Sequence, residues 1–253
     1  MTIVFTIITK DGIVMSADRK ISRLQNNHIE NIDSRDKIIV LECQKIGISY
    51  WGLATLNNKQ IKDHINEVMK RFNNHEEINV DTFSEKCKAY FEQFEPPCPM
   101  GLHIAGYVNG KPKLRHLFHE QWHDKKEFTN EESNIEFHDG LGRRIPHKRR
   151  EEYINLISLF NGENQIISNI LNILPQLGGL NFAIDFEKLS LTDAIELSKL
   201  LITTTIYIQN FLKVYRRVGT TCGNGLDIIT IKENEIKQEV VNLTSVSIDI
   251  TNR

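Results

Sequence analysis

Three histidines stand close together in His116-Leu117-Phe118-His119-Glu120-Gln121-Trp122-His123, with Asp124 next in the chain. Imidazole nitrogens and carboxylates are donors that a zinc-like ion accepts. On a helix, His116, His119 and His123 would share one face. The segment starts with the pattern of a strand, however, where His116 and His119 point to opposite faces. A polar strand end is expected there, and no metal site. A second cluster, Arg143, Arg144, His147, Lys148, Arg149 and Arg150, could grip phosphate or an acidic partner. Tyr153 is the one aromatic near it, so single-stranded bases have little to stack on. A solvated loop and helix start is expected, with contact to Glu131, Glu132 and Glu136 of a neighbouring copy as a second use. Gly223-Asn224-Gly225 lacks the strand-to-helix setting of a phosphate loop. Cys43, Cys87, Cys98 and Cys222 are far apart without a CxxC, as buried thiols of a reducing compartment would be.

The 253 residues carry 31 Lys plus Arg against 33 Asp plus Glu, a net charge of -2. That balance gives no reason to expect a nucleic acid or a membrane as the main partner, and neither is expected. Apolar residues make up 40%, enough for a real core, and no linker or repeat divides the chain, so one domain over 1–253 is expected. No apolar stretch is long enough to span a bilayer. Met1 to Gly12 lacks the basic start of a signal peptide, and a cytoplasmic location is expected.

The elements that must position any site follow from periodicity. Thr2 to Thr9 is rich in Ile, Val, Phe and Thr and reads as a strand. Lys10-Asp11-Gly12 turns it into a second strand, Ile13 to Ala17, with Asp18 just beyond. Residues 19–35 are polar and read as a loop. Ile38 to Leu41 and Ile46 to Trp51 form another hairpin. Leu56, Ile61, Ile65, Val68, Met69 and Phe72 mark a helix face. A second helix is predicted from Val80 to Phe94 with Asp81 as its cap. Leu102 to Val108 and Lys113 to Phe118 flank the turn pair Asn109-Gly110. Residues 119–150 carry no clear period. Helices are predicted from Glu151 to Phe160 and from Asn164 to Leu174. A long one follows to Tyr215, capped by Ser190 with Asp193. Leu226 to Ile231 and Ile236 to Val241 close the pattern. Strands cluster together and helices cluster together, which predicts an α+β fold with antiparallel sheets.

Four segments, MTIVFTIITKDGIVMSADRK, DKIIVLECQKIGISYWGLA, GLHIAGYVNGKPKL and SLTDAIELSKL with GLDIITI, resemble the proteasome-type N-terminal nucleophile hydrolases in order. A divergent, bacterial-like proteasome subunit is what the resemblance implies. It further implies a four-layer αββα sandwich and hydrolysis of peptides or unfolded proteins. Assembly into homo-oligomeric rings, work with an ATPase or cap, and no cofactor or metal complete the family's pattern.

Carried onto this sequence, the resemblance places the nucleophile at Thr2, freed when Met1 is removed. Asp18 takes the place of the family's aspartate, Lys37 that of its lysine, and Gly52 that of the oxyanion-hole glycine. Ile21, Tyr50 and Ala54 fall where the family lines its specificity pocket. The implied chemistry is coherent. A free Thr2 amine, with an ordinary pKa near ~8, can take the hydroxyl proton as a general base. Lys37 would favour the deprotonated nucleophile, Asp18 would hold Lys37, and the Gly52 N–H would stabilise the oxyanion by about 2.7–4 kcal/mol. Three supporting positions differ from the family pattern. Leu141 or Asp139 stands where a serine is expected, Gly219 where an aspartate is expected, and Cys222 where a second serine is expected. The resemblance therefore also admits a non-catalytic structural subunit, and the wider class admits an amidohydrolase acting on small amides.

Overall fold

The computed structural model describes residues 3–25, 28–32, 36–94, 100–119, 128–132, 157–162, 189–216, 222–223 and 225–242. Strands β1 (Ile3–Thr9) and β2 (Gly12–Asp18) form the first hairpin, as their β-branched content requires. They are central to a five-stranded antiparallel sheet, ordered β12-β1-β2-β13-β14, with β12 at Ile157–Gly162, β13 at Leu226–Lys232 and β14 at Glu235–Val241. A second five-stranded sheet has the order β11-β10-β9-β6-β5, from β5 (Ile38–Leu41), β6 (Ile46–Gly52), β9 (Met100–Val108), β10 (Lys111–His119) and β11 (Phe128–Glu132). Two short hairpins complete the strands: β3 (Ile21–Gln25) with β4 (His28–Ile32), and β7 (Thr55–Leu56) with β8 (Lys59–Gln60). Helices α1 (Ile61–Met69), α2 (Val80–Phe91) and α3 (Leu191–Arg216) pack on these sheets. The class is α+β with antiparallel sheets, as the sequence predicts.

Both faces of β1 are buried, which explains why apolar residues occupy both of them. Ile3, Phe5 and Ile7 share a cluster with Leu201, Ile202 and Ile206 of α3. The alternate residues Val4 and Ile8 join Met15 and Ile229 against Ile38, Ala105 and Leu114 of the second sheet. The contact between sheets is close at Gly47, where a Cβ would lie 2.4 Å from Ile229 Cδ1 and 2.7 Å from Met15 Sδ. On its other face the second sheet buries Ile46, Ile48, Leu102 and Ile104 beneath Ile65 of α1 and Phe83 and Phe91 of α2. No helix among the described residues is long and apolar enough to cross a membrane.

Several expectations need correction. Residues 19–35 are not simply a loop, because β3 and β4 pair with Ile21 opposite Ile32 and Leu24 opposite Ile29. Their aligned apolar positions form a hairpin that the asparagine-rich composition obscured. The helix predicted over 151–160 is replaced in its second half by β12, whose Phe160 stands opposite Phe5. The edge of β1 supplies hydrogen-bond partners that local periodicity cannot reveal. Strand β11, within the unread segment, pairs in the same way with β10. Asn79, not Asp81, caps α2: its side chain accepts from the N–H groups of Asp81 and Thr82, each at 3.0 Å. The Asp81 carboxylate instead takes Lys113 Nζ at 2.8 Å and Arg115 Nη2 at 2.7 Å. The helix predicted over 164–174 lies outside the described residues.

Ser190 and Asp193 do close the start of α3. The Ser190 hydroxyl donates to Asp193 at 2.6 Å and accepts from the Asp193 N–H at 3.1 Å. The threonines in the middle of this helix are accommodated in part because Thr205 donates its hydroxyl to the Leu201 carbonyl at 2.8 Å.

Candidate active site

The end of β2 and the start of β5 meet where the two sheets face each other. Asp18 is the last residue of β2 and is completely buried. Burial of a carboxylate is tolerated only when its oxygens are satisfied. Here Oδ1 accepts from Lys37 Nζ at 2.7 Å and from the Ile3 N–H at 2.9 Å. Oδ2 accepts from the N–H groups of Lys20 at 3.1 Å and Gly223 at 3.2 Å. Four donors thus converge from four separate stretches of chain.

Lys37 lies just before β5 and is as fully buried as its partner. Its carbonyl accepts from the Tyr50 N–H at 3.1 Å, which extends the β5–β6 ladder to the site. The β3–β4 hairpin occupies the long chain interval between Asp18 and Lys37, so the two can pair despite that interval. A buried ion pair is weak evidence of stability, since desolvation offsets much of the attraction. It does fix a geometry, because neither charge has water to turn to.

Tyr50 is buried, and its hydroxyl donates to the Asp36 carbonyl at 3.4 Å. Gly52 ends β6 with φ +85°, a left-handed conformation that favours glycine. The Ala54 carbonyl accepts from the Ile61 N–H at 3.3 Å and so joins this segment to α1. Ile21 opens β3. Cys222 is buried, and its N–H donates to Gln209 Oε1 of α3 at 2.9 Å. Its neighbour Gly223 reaches Asp18 directly. The structure therefore brings together Asp18, Lys37, Tyr50 and the Cys222-Gly223 segment. Thr2, Leu141 and Gly219 lie outside the described residues.

Sequence reasoning missed a second set of charges beside the first. Arg19, next to Asp18, bridges Asp36 Oδ1 at 3.0 Å and Asp227 Oδ1 at 3.1 Å. Asp36 in turn precedes Lys37, so adjacent residues on two chain segments make two crossed ion pairs. Asp227 is fully buried on β13, and its Oδ2 has no hydrogen-bond partner among the described residues. Burial pushes its pKa up to about 6, against the lowering effect of Arg19. A single acid inside the apolar run Leu226 to Ile231 was the signal that could have found it.

The histidine cluster resolves differently. His116 lies on β10 opposite His103 of β9, the two rings 5.3 Å apart and edge-on. His103 Nδ1 hydrogen-bonds Thr6 Oγ1 of the other sheet at 2.9 Å. Burial, reinforced by His103, holds the His116 pKa well below its usual value, so the ring is neutral. His119 ends the same strand, and His123 lies outside the described residues. Among the described residues no three His, Cys, Asp or Glu side chains cluster as metal ligands would.

No family model and no curated protein matches the chain. Among solved structures it is similar to the Anbu (Gly-1) mutant from Hyphomicrobium sp. strain MC1. The TM-score is 0.60 and the identity 12%, over 97% of this chain and 89% of that one. Anbu is a bacterial proteasome-related protein with the N-terminal nucleophile hydrolase fold. At this identity the likeness concerns fold alone. The assignment to the proteasome-type family from sequence is thereby corrected: the matching segments do not amount to a family match. Two of them contain TKDG and VNGK, turns that any antiparallel hairpin can use.

Proposed function

We propose that this protein hydrolyses peptide bonds with Thr2 as its nucleophile, once Met1 has been removed. The observation that carries this reading is the buried Asp18 carboxylate, which holds both Lys37 Nζ and the Ile3 N–H. That N–H belongs to the peptide bond joining Thr2 to Ile3, so the pair acts next to the residue that would bear the nucleophile. Lys37 would favour the neutral amine and the developing alkoxide of Thr2. Asp18 would orient the lysine through its short contact. The Gly52 N–H is the proposed oxyanion donor, with Ile21, Tyr50 and Ala54 lining the pocket beside it. The hydroxyl attacks the scissile carbonyl, its proton passes to the α-amine and then to the leaving amine, and water releases the acyl group from Thr2.

The αββα stack is the architecture we infer, supported by apolar clusters between the sheets and under the helices on either side. The same proposal has a single domain that assembles into homo-oligomeric rings around unfolded protein substrate, served by an ATPase or cap; the likeness to Anbu supports its fold alone. A cytoplasmic location goes with that role. Cys222 favours a second reading, a non-catalytic structural subunit, because a buried thiol is a poorer hydrogen-bonding group than a hydroxyl.

The deciding experiment treats the full chain with a peptide epoxyketone, which requires both the hydroxyl and the free amine of one N-terminal residue. Intact mass should show loss of Met1 and one adduct, and Thr2→Ala should abolish that adduct. A chain without Met1 that forms no adduct would sink the peptidase reading in favour of the structural one. Adduct formation together with turnover of small amides, but not of peptides, would point to an amidohydrolase.

A further inference from the structure

The Arg19–Asp36–Asp227 chain of charges is absent from the chemistry proposed above, yet it lies beside three of the four stretches that donate to Asp18, those at Lys20, Lys37 and Gly223. Arg19 follows Asp18, and its N–H is shared between the carbonyls of Gly223 at 3.2 Å and Gly225 at 3.1 Å, just before β13. Its guanidinium joins Asp36, which precedes Lys37, to Asp227, which lies on β13 opposite Ala17. The guanidinium is largely buried, Asp36 is half exposed, and Asp227 is sealed from solvent. The solvent-facing acid can exchange Arg19 for water, whereas Asp227 cannot.

The buried Oδ2 of Asp227 sharpens this asymmetry. An ionised oxygen with no donor is costly, so the carboxylate depends on Arg19 for its charge to be tolerated. The charged groups acting on it are Arg19 and Asp18 from the end of β2, and Asp36 and Lys37 from the start of β5. Its cross-strand neighbours Ala17 and Val240 are uncharged.

We infer that Asp227 is a positioning residue for the Asp18–Lys37 pair, acting through Arg19, and that the pair is held fully in place only while Asp227 is ionised. Uptake of one proton by Asp227 removes one of the anions that hold Arg19. The guanidinium is then drawn toward exposed Asp36, and the end of β2 loses its charged tie to β13. The site becomes sensitive to mild acid at a residue that never meets substrate. A pKa raised to about 6 puts this change within reach of modest acidification. The effect on activity rests on the proposed hydrolase function, but the coupling of charges does not.

Carboxyl and lysine side-chain NMR of the full chain separates the two. The Asp227 carbon, identified by its absence in Asp227→Asn, should titrate near pH 6. Arg19→Gln should raise that midpoint and Asp36→Asn should lower it, each by about one unit. The Lys37 side-chain carbon, identified with Lys37→Arg, should show an inflection at the Asp227 midpoint and lose it in Asp227→Asn. Should that variant not fold, the opposite shifts in the other two carry the test. An Asp227 midpoint in the ordinary carboxylate range, or a Lys37 signal blind to it, would overturn the inference. Epoxyketone labelling followed against pH adds the functional arm. Its acid limb should move up with Arg19→Gln. Labelling that leaves its acid limb in place while the NMR midpoint moves refutes the positioning role. Absence of an adduct at every pH counts against the hydrolase reading alone, and the NMR result then decides the coupling.

Discussion

Lys37 Nζ lies 2.7 Å from Asp18 Oδ1, with both side chains shut off from solvent. Removing the lysine charge leaves a carboxylate with two backbone donors on one oxygen and one on the other, but no counter-charge. Lys37→Met is expected to cost about 3–5 kcal/mol of stability. Adding Asp18→Asn to that variant should recover part of the loss, since the amide oxygen can still accept backbone N–H groups. Urea denaturation of the single and double variants checks both expectations, and a double variant as unstable as Lys37→Met would contradict them.

Asp227 should leave a signature in the pH dependence of stability. Its folded pKa of about 6 lies above the ordinary aspartate value of 3.8, so the folded state holds this proton more tightly than the unfolded chain. Between those values the folded state binds more protons, and this residue's contribution to stability falls as pH rises. The contribution is level above the folded value. Asp227→Asn removes that titration, so its stability relative to wild type should improve by about 2–3 kcal/mol between pH 4 and pH 7. Denaturation curves at several pH values test this, with a flat difference as the contrary result.

His116 should act with the opposite slope. Its folded pKa is depressed well below 6.5, so as pH falls through 6.5 the unfolded chain takes a proton that the folded state refuses. The stability it permits is complete above that value and declines below it. His116→Phe should therefore lose less stability than wild type on going from pH 7 to pH 5. The ring stacks on Phe118 at 4.4 Å, so an aromatic replacement keeps the main contact. Thermal unfolding at the two pH values reads the difference directly.

Asn79 offers a test away from the site. Asn79→Ala removes the acceptor for two N–H groups at the start of α2 and should cost about 1 kcal/mol. Asp81→Asn should act by another route, weakening the ties of this helix to Lys113 and Arg115 of β10. Salt should diminish the effect of the Asp81 change and leave that of the Asn79 change intact, because partly exposed ion pairs are screened and a neutral cap is not.

What the sequence by itself determined is local. Asp11-Gly12 and Asn109-Gly110 marked their turns, and at the second Asn109 and Gly110 both take the positive φ that few residues accept. Runs rich in Ile, Val and Thr made β1 and β2 legible, and Ser190 with Asp193 announced α3. The tertiary structure alone decided β11 and β12, which exist as strands because an open sheet edge beside them needed partners. It alone also joined Arg19 to Asp36 and Asp227, for the charges that act on one another there come from three distant parts of the chain. Lys37 and Asp18 were singled out by resemblance, but their burial and contact follow from the way the two sheets meet. Short-range sterics are written in neighbouring residues, whereas desolvation and charge pairing depend on which segments the fold brings together.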